Sequence, residues 1–182
     1  MTPDRRRLIF IAAALLIAAG AATWHYWPHP PPQPRISTLA DGTEAWFYSD
    51  SDLTPAAGYP QPRELQADGE FFLKAAAHPE PLVVRTRLLE LTVTGETALR
   101  IVARWHEAGE QVEVLYGHVV ARKSYPSNYS EPDTLEAGGM VLINKDIDLM
   151  EKEKTDIDQL RTWSETWVST IRAKAADGAG TE

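Results

Sequence analysis

The chain has 182 residues, with 18 Lys+Arg against 26 Asp+Glu, a formal charge of −8, and no cysteine. That length holds one domain with appendages, and the lack of any thiol excludes a disulfide framework, a thiolate zinc site, a cysteine-ligated iron–sulfur cluster, a Cys nucleophile and a lipoprotein anchor. With 43% hydrophobic and 24% charged residues the composition is that of a globular protein, and 13 prolines point to linkers and turns.

The N-terminus reads Asp4-Arg5-Arg6-Arg7, and an uncharged apolar run from Leu8 to Trp24 follows, with Tyr26 and Trp27 just beyond. The run is near the lower limit for crossing a bilayer core of about 30 Å, and the aromatics extend it as interfacial anchors. Residues 8–27 are therefore expected to be a transmembrane helix, with the arginines holding a cytoplasmic tail at 1–7. A cleaved signal peptide is the rival reading, because Ala19-Gly20-Ala21 is a small-x-small site. The length of the run and its aromatic end favour the anchor. Either reading exports the rest of the chain.

Pro28-His29-Pro30-Pro31-Pro32-Gln33-Pro34 holds five prolines in seven positions. It reads as an extended spacer over 28–35 that holds a domain off the membrane. Beyond residue 35 the chain keeps 14 basic and 25 acidic residues, a formal charge of −11. A surface of that sign repels phosphate backbones, so no nucleic-acid partner is expected.

Residues 36–150 consist of short apolar or alternating runs separated by Gly, Pro, Asp and Asn, the pattern of an all-β domain. The expected strands are Ile36–Leu39, Thr43–Tyr48, Glu64–Gln66, Glu70–Ala75, Leu82–Thr86, Leu89–Thr94, Ala98–Ala103, Gln111–Tyr116, His118–Arg122 and Met140–Asn144. Turns are expected at Asp41-Gly42, Asp68-Gly69, Ala108-Gly109 and Tyr116-Gly117. The polar, proline-containing stretch Ser124–Thr134 reads as an exposed loop.

Over 151–174 the period changes to that of an amphipathic helix, with Ile157, Leu160, Trp163, Trp167, Val168 and Ile171 on one face and Thr155 and Asp158 resembling a capping box. The alternating charges of Glu151–Lys154 read as a solvated approach to it. Residues 175–182 read as a disordered tail. The tryptophans on the apolar face either pack on the β domain or mark a docking surface.

The order of motifs from Ile36 to Asn144 resembles the FecR domain, the periplasmic part of inner-membrane anti-sigma regulators. Thr38-Leu39-Ala40-Asp41-Gly42-Thr43 with Trp46 is similar to the family's opening "L-x-D-G-T/S-x-V-W-L". Arg63-Glu64-Leu65 and Gly69-Glu70-Phe71-Phe72 match "R-E-V-x-L-x-G-E-A-F-F". Ala76-Ala77-His78-Pro79-Glu80-Pro81-Leu82-Val83-Val84-Arg85-Thr86 resembles "V-A-H-D-P-x-x-P-F-x-V-x-T", and Val112-Glu113-Val114-Leu115-Tyr116-Gly117-His118-Val119 resembles a later strand. The resemblance implies a mainly β, twisted solenoid-like module, with no catalysis and no cofactor. It further implies sensing of an outer-membrane transporter and signalling to a sigma factor.

The chain departs from the family in having residues 1–7 where members carry a cytoplasmic sigma-binding domain, and one helix where many carry a small α/β lobe. The expectation is a single-pass protein of the bacterial inner membrane with its main domain in the periplasm, an accessory or regulatory module in sigma-factor or iron-uptake signalling. Its partners would be envelope proteins such as a FecR-type regulator or an outer-membrane transporter. The alternative is an envelope structural or assembly scaffold with no direct signalling role, binding by strand addition or through the helix. Trp163, Trp167 and Ile171 on the helix, or Tyr125 and Tyr129 in the loop, are the candidate partner-binding residues.

No enzyme is expected, since neither an activated nucleophile nor a paired acid and base is visible. His78, His106 and His118 are scattered, and Asp50 with Asp52 and Asp146 with Asp148 lack the Gly and distal Glu of a calcium loop, so no metal site is expected.

Overall fold

The computed structural model describes residues 31–178 except 130. The expected tail at 1–7 and transmembrane helix at 8–27 lie outside the described residues, as does the start of the proline spacer; no helix among the described residues is long and apolar enough to cross a membrane.

The elements in chain order are β1 (Pro34–Thr38), β2 (Glu44–Tyr48), β3 (Asp52–Pro55), β4 (Glu64–Ala75), β5 (Leu82–Arg85), β6 (Leu89–Ala103), β7 (Gly109–Lys123), β8 (Asp133–Leu135), β9 (Gly139–Asn144), β10 (Leu149–Lys154) and the helix α1 (Ile157–Gly178). The strands form one open sheet in the order β1-β2-β4-β5-β6-β7-β9-β10, with β3 on β4 and β8 on β7. Neighbours are antiparallel except for the parallel pair β4–β5. The expected solenoid-like module is thus narrowed to a single, mainly antiparallel sheet.

The three long strands each serve two sets of partners. The first part of β4 lies between β3 and β5, and its second part between β2 and β6. The start of β6 pairs with β5 and the end of β7, while the end of β6 pairs with β4 and the start of β7. Two rows of strands result, and their apolar faces meet. Leu65, Leu82, Leu91 and Val119 from one row and Phe47, Phe71, Ile101 and Val141 from the other belong to the same buried cluster. Each large side chain fully buried there contributes about 1.5–3 kcal/mol.

The folding-over points are glycine-marked. The β6–β7 register slips between Thr94 and Leu99, and opposite the slip Gly117 adopts a φ of +96° with its backbone against Thr97. A Cβ at Gly117 would stand 2.2 Å from Thr97 Oγ1 and 2.7 Å from its Cα. The Thr97 hydroxyl donates to Thr94 O (3.1 Å) and accepts from His118 N–H (3.3 Å), stitching the two bends together. Tyr116-Gly117 is therefore a bend inside a continuous strand and not the expected turn, and Asp68-Gly69 likewise lies within β4. The paired short strands expected at 64–75, 89–103 and 111–122 are halves of long ones.

A buried ion pair fixes the β1–β2 turn. The Asp41 carboxylate accepts from Arg63 Nε (2.9 Å) and Nη2 (2.5 Å), and from the Thr43 N–H and hydroxyl, both at 2.9 Å. Both charged side chains are almost wholly enclosed, at 2% and 1% exposed. Arg63 also donates to the Glu80 carbonyl, which ties the segment before β5 to the same point. Burial alone would raise the Asp41 pKa; the Tyr59 hydroxyl, Thr43 and Arg63 together lower it to about 2. Burial and that carboxylate push the Tyr59 phenol above its ordinary range.

Three short strands escape the sequence reading. Asp52–Pro55 and Asp133–Leu135 are only four and three residues long. Leu149–Lys154, read as an approach to the helix, pairs with β9 throughout its length. The helix consequently begins at Ile157 and not at 151. Its cap is Asp156, whose Oδ1 accepts from the N–H groups of Asp158 (3.0 Å) and Gln159 (3.1 Å). Thr155, expected to cap it, instead donates to Glu113 Oε1 at 2.7 Å. At the other end α1 continues through the strong helix formers Ala175 and Ala176 to Gly178, into the stretch expected to be disordered.

Two stability measurements test this account. In urea melts Gly117→Ala should cost about 1–3 kcal/mol through backbone strain and the clash with Thr97. Gly95→Ala, where a Cβ would meet nothing within 4 Å, should cost less. Asp41→Asn leaves the Arg63 charge buried and unpaired and should cost about 3–5 kcal/mol near neutral pH. Because the folded-state pKa of Asp41 lies below its unfolded value of 3.8, the difference between wild type and Asp41→Asn should be complete above that value and shrink as pH falls toward about 2.

Candidate functional site

The helix lies on the outer face of the row formed by β2 and the second half of β4. Alternation along these strands turns Ala45, Phe47, Phe71 and Leu73 inward and leaves Trp46 and Phe72 facing the helix. Ile171 is fully enclosed against Trp46, Phe72 and Ala98, with Trp163, Trp167 and Val168 packed at the margin. The Trp163 and Trp167 rings stack with centroids 5.0 Å apart. Tyr48 meets Trp167 edge-on at 5.1 Å, and Trp46 lies 5.8 Å from Phe72. Trp167 Nε1 donates to the Trp46 carbonyl at 3.4 Å.

Charge is threaded through this aromatic layer. The Arg100 guanidinium sits 4.2 Å from the Trp163 centroid and donates to Glu70 (2.6 Å) and Glu113 (3.1 Å). Arg172 and Lys174 lie over the rings of Trp46 and Tyr48 at 5.6 and 5.7 Å. Beside the helix an apolar groove of about 650 Å³ remains, lined by Tyr48, Asp158, Thr162, Trp163, Thr166 and Trp167.

The three helix candidates therefore divide. Trp163 and Trp167 are half-buried, each packing on the sheet with one side while lining the groove with the other. Ile171, at 0% exposure, is core and offers nothing to a partner.

The loop candidates also divide. Tyr125 donates to Asp148 Oδ1 (3.1 Å), and its ring faces the ammonium groups of Lys123 and Lys145. Lys123 Nζ, almost wholly buried, donates to Asp148 Oδ1 (2.7 Å), the Asp148 carbonyl (2.8 Å) and Ser127 Oγ (3.0 Å). Asp148 holds a φ of +50° to make these contacts. The Lys123 hydrogen bond, with that of Ser127, lowers its pKa. Burial, followed by Asp148, raises that of Tyr125. Tyr125 is thus a brace, whereas Tyr129 is 78% exposed.

Trp105 at the β6–β7 turn was not singled out from the sequence, yet it is 70% exposed. Its immediate neighbours Arg104, His106 and Glu107 and the following Ala108-Gly109 turn are the signal that this tryptophan is outside the core.

Glu110 is enclosed without a cation in contact; it accepts from the Thr86 hydroxyl and from Leu88 N–H (3.0 Å), and burial raises its pKa. It fastens the β5–β6 turn to the base of β7. Among the described residues no group of three or more His, Asp or Glu side chains is placed to hold a metal ion.

Two crystal structures, at 1.65 and 2.50 Å, of a protein from Parabacteroides distasonis proposed to be an anti-sigma factor share this fold, with a TM-score of 0.63 and 20% identity. The match covers 72% of this chain and 60% of the other, so this chain corresponds to somewhat more than half of that protein's length. No family model and no curated protein matches the chain.

The division of the candidates is open to a direct check. Ile171→Ala should destabilise by about 2–5 kcal/mol as a buried large-to-small change, while Tyr129→Ala should stay within about 0.5 kcal/mol of wild type. Denaturant melts of the two variants read both.

Proposed function

We propose that the chain is a FecR-like regulator of the anti-sigma type, acting by protein–protein contact in cell-surface signalling and performing no catalysis. The observation that carries this reading is the shared fold with a protein proposed to be an anti-sigma factor. The motif order from Thr38 to Val119 supports it independently, because the residues that define the resemblance have identifiable structural duties. Asp41 and Arg63 form the buried pair, Gly117 the bend, and Trp46 and Phe72 the seat of the helix.

In this proposal residues 8–27 anchor the chain in the inner membrane and the domain lies in the periplasm. The groove between Tyr48 and the helix supplies the contact. It is apolar, walled by two stacked tryptophans, and edged by the hydroxyls of Thr162 and Thr166, which bond within the helix to the carbonyls of Asp158 and Thr162. Rigid aromatic surface of this kind makes contact area at low entropic cost.

Replacing Trp163 or Trp167 would disturb the sheet packing as well as the groove, so the informative variant is Thr166→Arg, which fills the groove from an exposed position. A sigma-dependent reporter should shift in the deletion strain and remain shifted with Thr166→Arg, with normal protein levels and intact envelope. Loss of envelope complexes without any change in transcription would instead favour the scaffold reading.

A further inference from the structure

Five large apolar side chains are strongly exposed among the described residues, and four of them, Trp105 (70%), Tyr129 (78%), Ile147 (68%) and Leu149 (45%), share one end of the folded-over sheet. The register places them there. Ala103, the last residue of β6, pairs with Gly69 at the turn-over of β4, and Asn144, the last of β9, pairs with Gly109 at the start of β7. The β6–β7 and β9–β10 turns therefore lie side by side, joined by Lys145 N–H to Ala108 O at 3.1 Å.

The loop bearing Tyr129 is bound to the same turn through Asp148. Trp105 is held from behind by its N–H to Asp68 Oδ1 (2.9 Å), and Arg104 reaches Asp50 (3.5 Å) and Glu70 (3.3 Å). Apolar groups are thus displayed to solvent by a braced set of loops.

This is also the end at which the domain begins. Pro34, the first residue of β1, pairs with Tyr48, the last of β2, and Asp50, two residues on, is the residue that meets Arg104. The seven residue steps from Trp27 to Pro34 can reach at most about 25 Å, the limit set by full extension of the chain.

We infer that this loop end docks on the bilayer, with Trp105, Tyr129, Ile147 and Leu149 seated among the lipid headgroups. The inference rests on the reading of residues 8–27 as a membrane anchor. Trp and Tyr favour the membrane–water boundary, where an apolar body and a polar tip are both accommodated, and Ile and Leu supply buried area. Of the local cations, Arg104 pairs with Asp50 and Glu70 and Lys123 with Asp148, while Lys145 lies over the Tyr125 ring and Arg87 donates to the Glu107 carbonyl, among the carboxylates of Asp50, Asp68, Glu107, Asp146 and Asp148. With no basic excess at this end, and a formal charge of −11 beyond residue 35, the surface suited to it is zwitterionic rather than anionic lipid.

The absence of native cysteine makes the test direct. Trp105→Cys, Tyr129→Cys and Ile147→Cys, with Glu96→Cys beside the opposite bend as control, are spin-labelled in the full chain and reconstituted into phosphatidylcholine vesicles. Collision rates with oxygen and with a water-soluble nickel chelate are then measured on material that floats with the vesicles. Nickel collision at 105, 129 and 147 should be lower than at 96 by about twofold or more, with oxygen collision raised. Floating protein whose three labels are as aqueous as that at 96 would overturn the docking and leave the anchor standing. Protein that fails to float with the vesicles would overturn both.

Discussion

Three strands that must each serve two layers are the constraint on which this domain depends. Because β4, β6 and β7 run through both rows, neither row can form alone, and both inner faces are filled by one set of side chains. The cost is concentrated at the bends, where the pleat has to turn over without exposing backbone. Thr97 solves this by using its hydroxyl twice, and Gly117 by having no Cβ to collide with it. In β7 the inward residues change from Val112 and Val114 to Val119 and Ala121 across that glycine, so the bulge there also resets which face is apolar.

Polar groups are used inside the fold as fasteners. Asp41–Arg63 joins the β1–β2 turn to the start of β4 and, through the Glu80 carbonyl, to the approach to β5; Glu110 joins the β5–β6 turn to β7, and Lys123 joins the end of β7 to the β9–β10 turn. Each lies where chain segments distant in sequence meet. Their electrostatics differ. Asp41 has enough donors to stay ionised far below its ordinary range, whereas Glu110, facing one hydroxyl and one N–H, is raised by burial. The first therefore gains stability with rising pH and the second loses it.

The alternation of Leu89, Leu91 and Val93 and the helical spacing from Ile157 to Ile171 were legible because each pattern runs long enough to define a face. The continuity of β6 and β7 was not, since a glycine within an alternating run signals a turn and a bend equally well. Leu149–Lys154 was hidden because an edge strand needs few apolar residues to hold its place. Trp163, Trp167 and Ile171 were legible as members of one helical face, but their separation into groove-lining Trp163 and Trp167 and enclosed Ile171 depends on the crossing of the helix over β2. The Arg63 partner of Asp41 lies 22 positions away, and no local spacing rule connects them.

The last strand bears on how such a domain recognises anything. β10 is an open edge, and strand addition there would be the simplest way for an all-β module to bind a partner. Its sequence opposes this. Glu151 and Glu153 share one face and Lys152 and Lys154 the other, so a two-fold antiparallel pairing of copies would set Glu151 against Glu153, or Lys152 against itself or Lys154. Lys152 moreover lies on the inner side of the edge, where its ammonium donates to the Thr134 carbonyl of the opposite row at 2.6 Å. A lysine turned inward on an edge strand is a device that discourages further pairing. With this edge guarded, and Trp46 and Phe72 already covered by α1, the groove beside the helix and the loop end carrying Trp105 are surfaces that the fold leaves apolar and fixed.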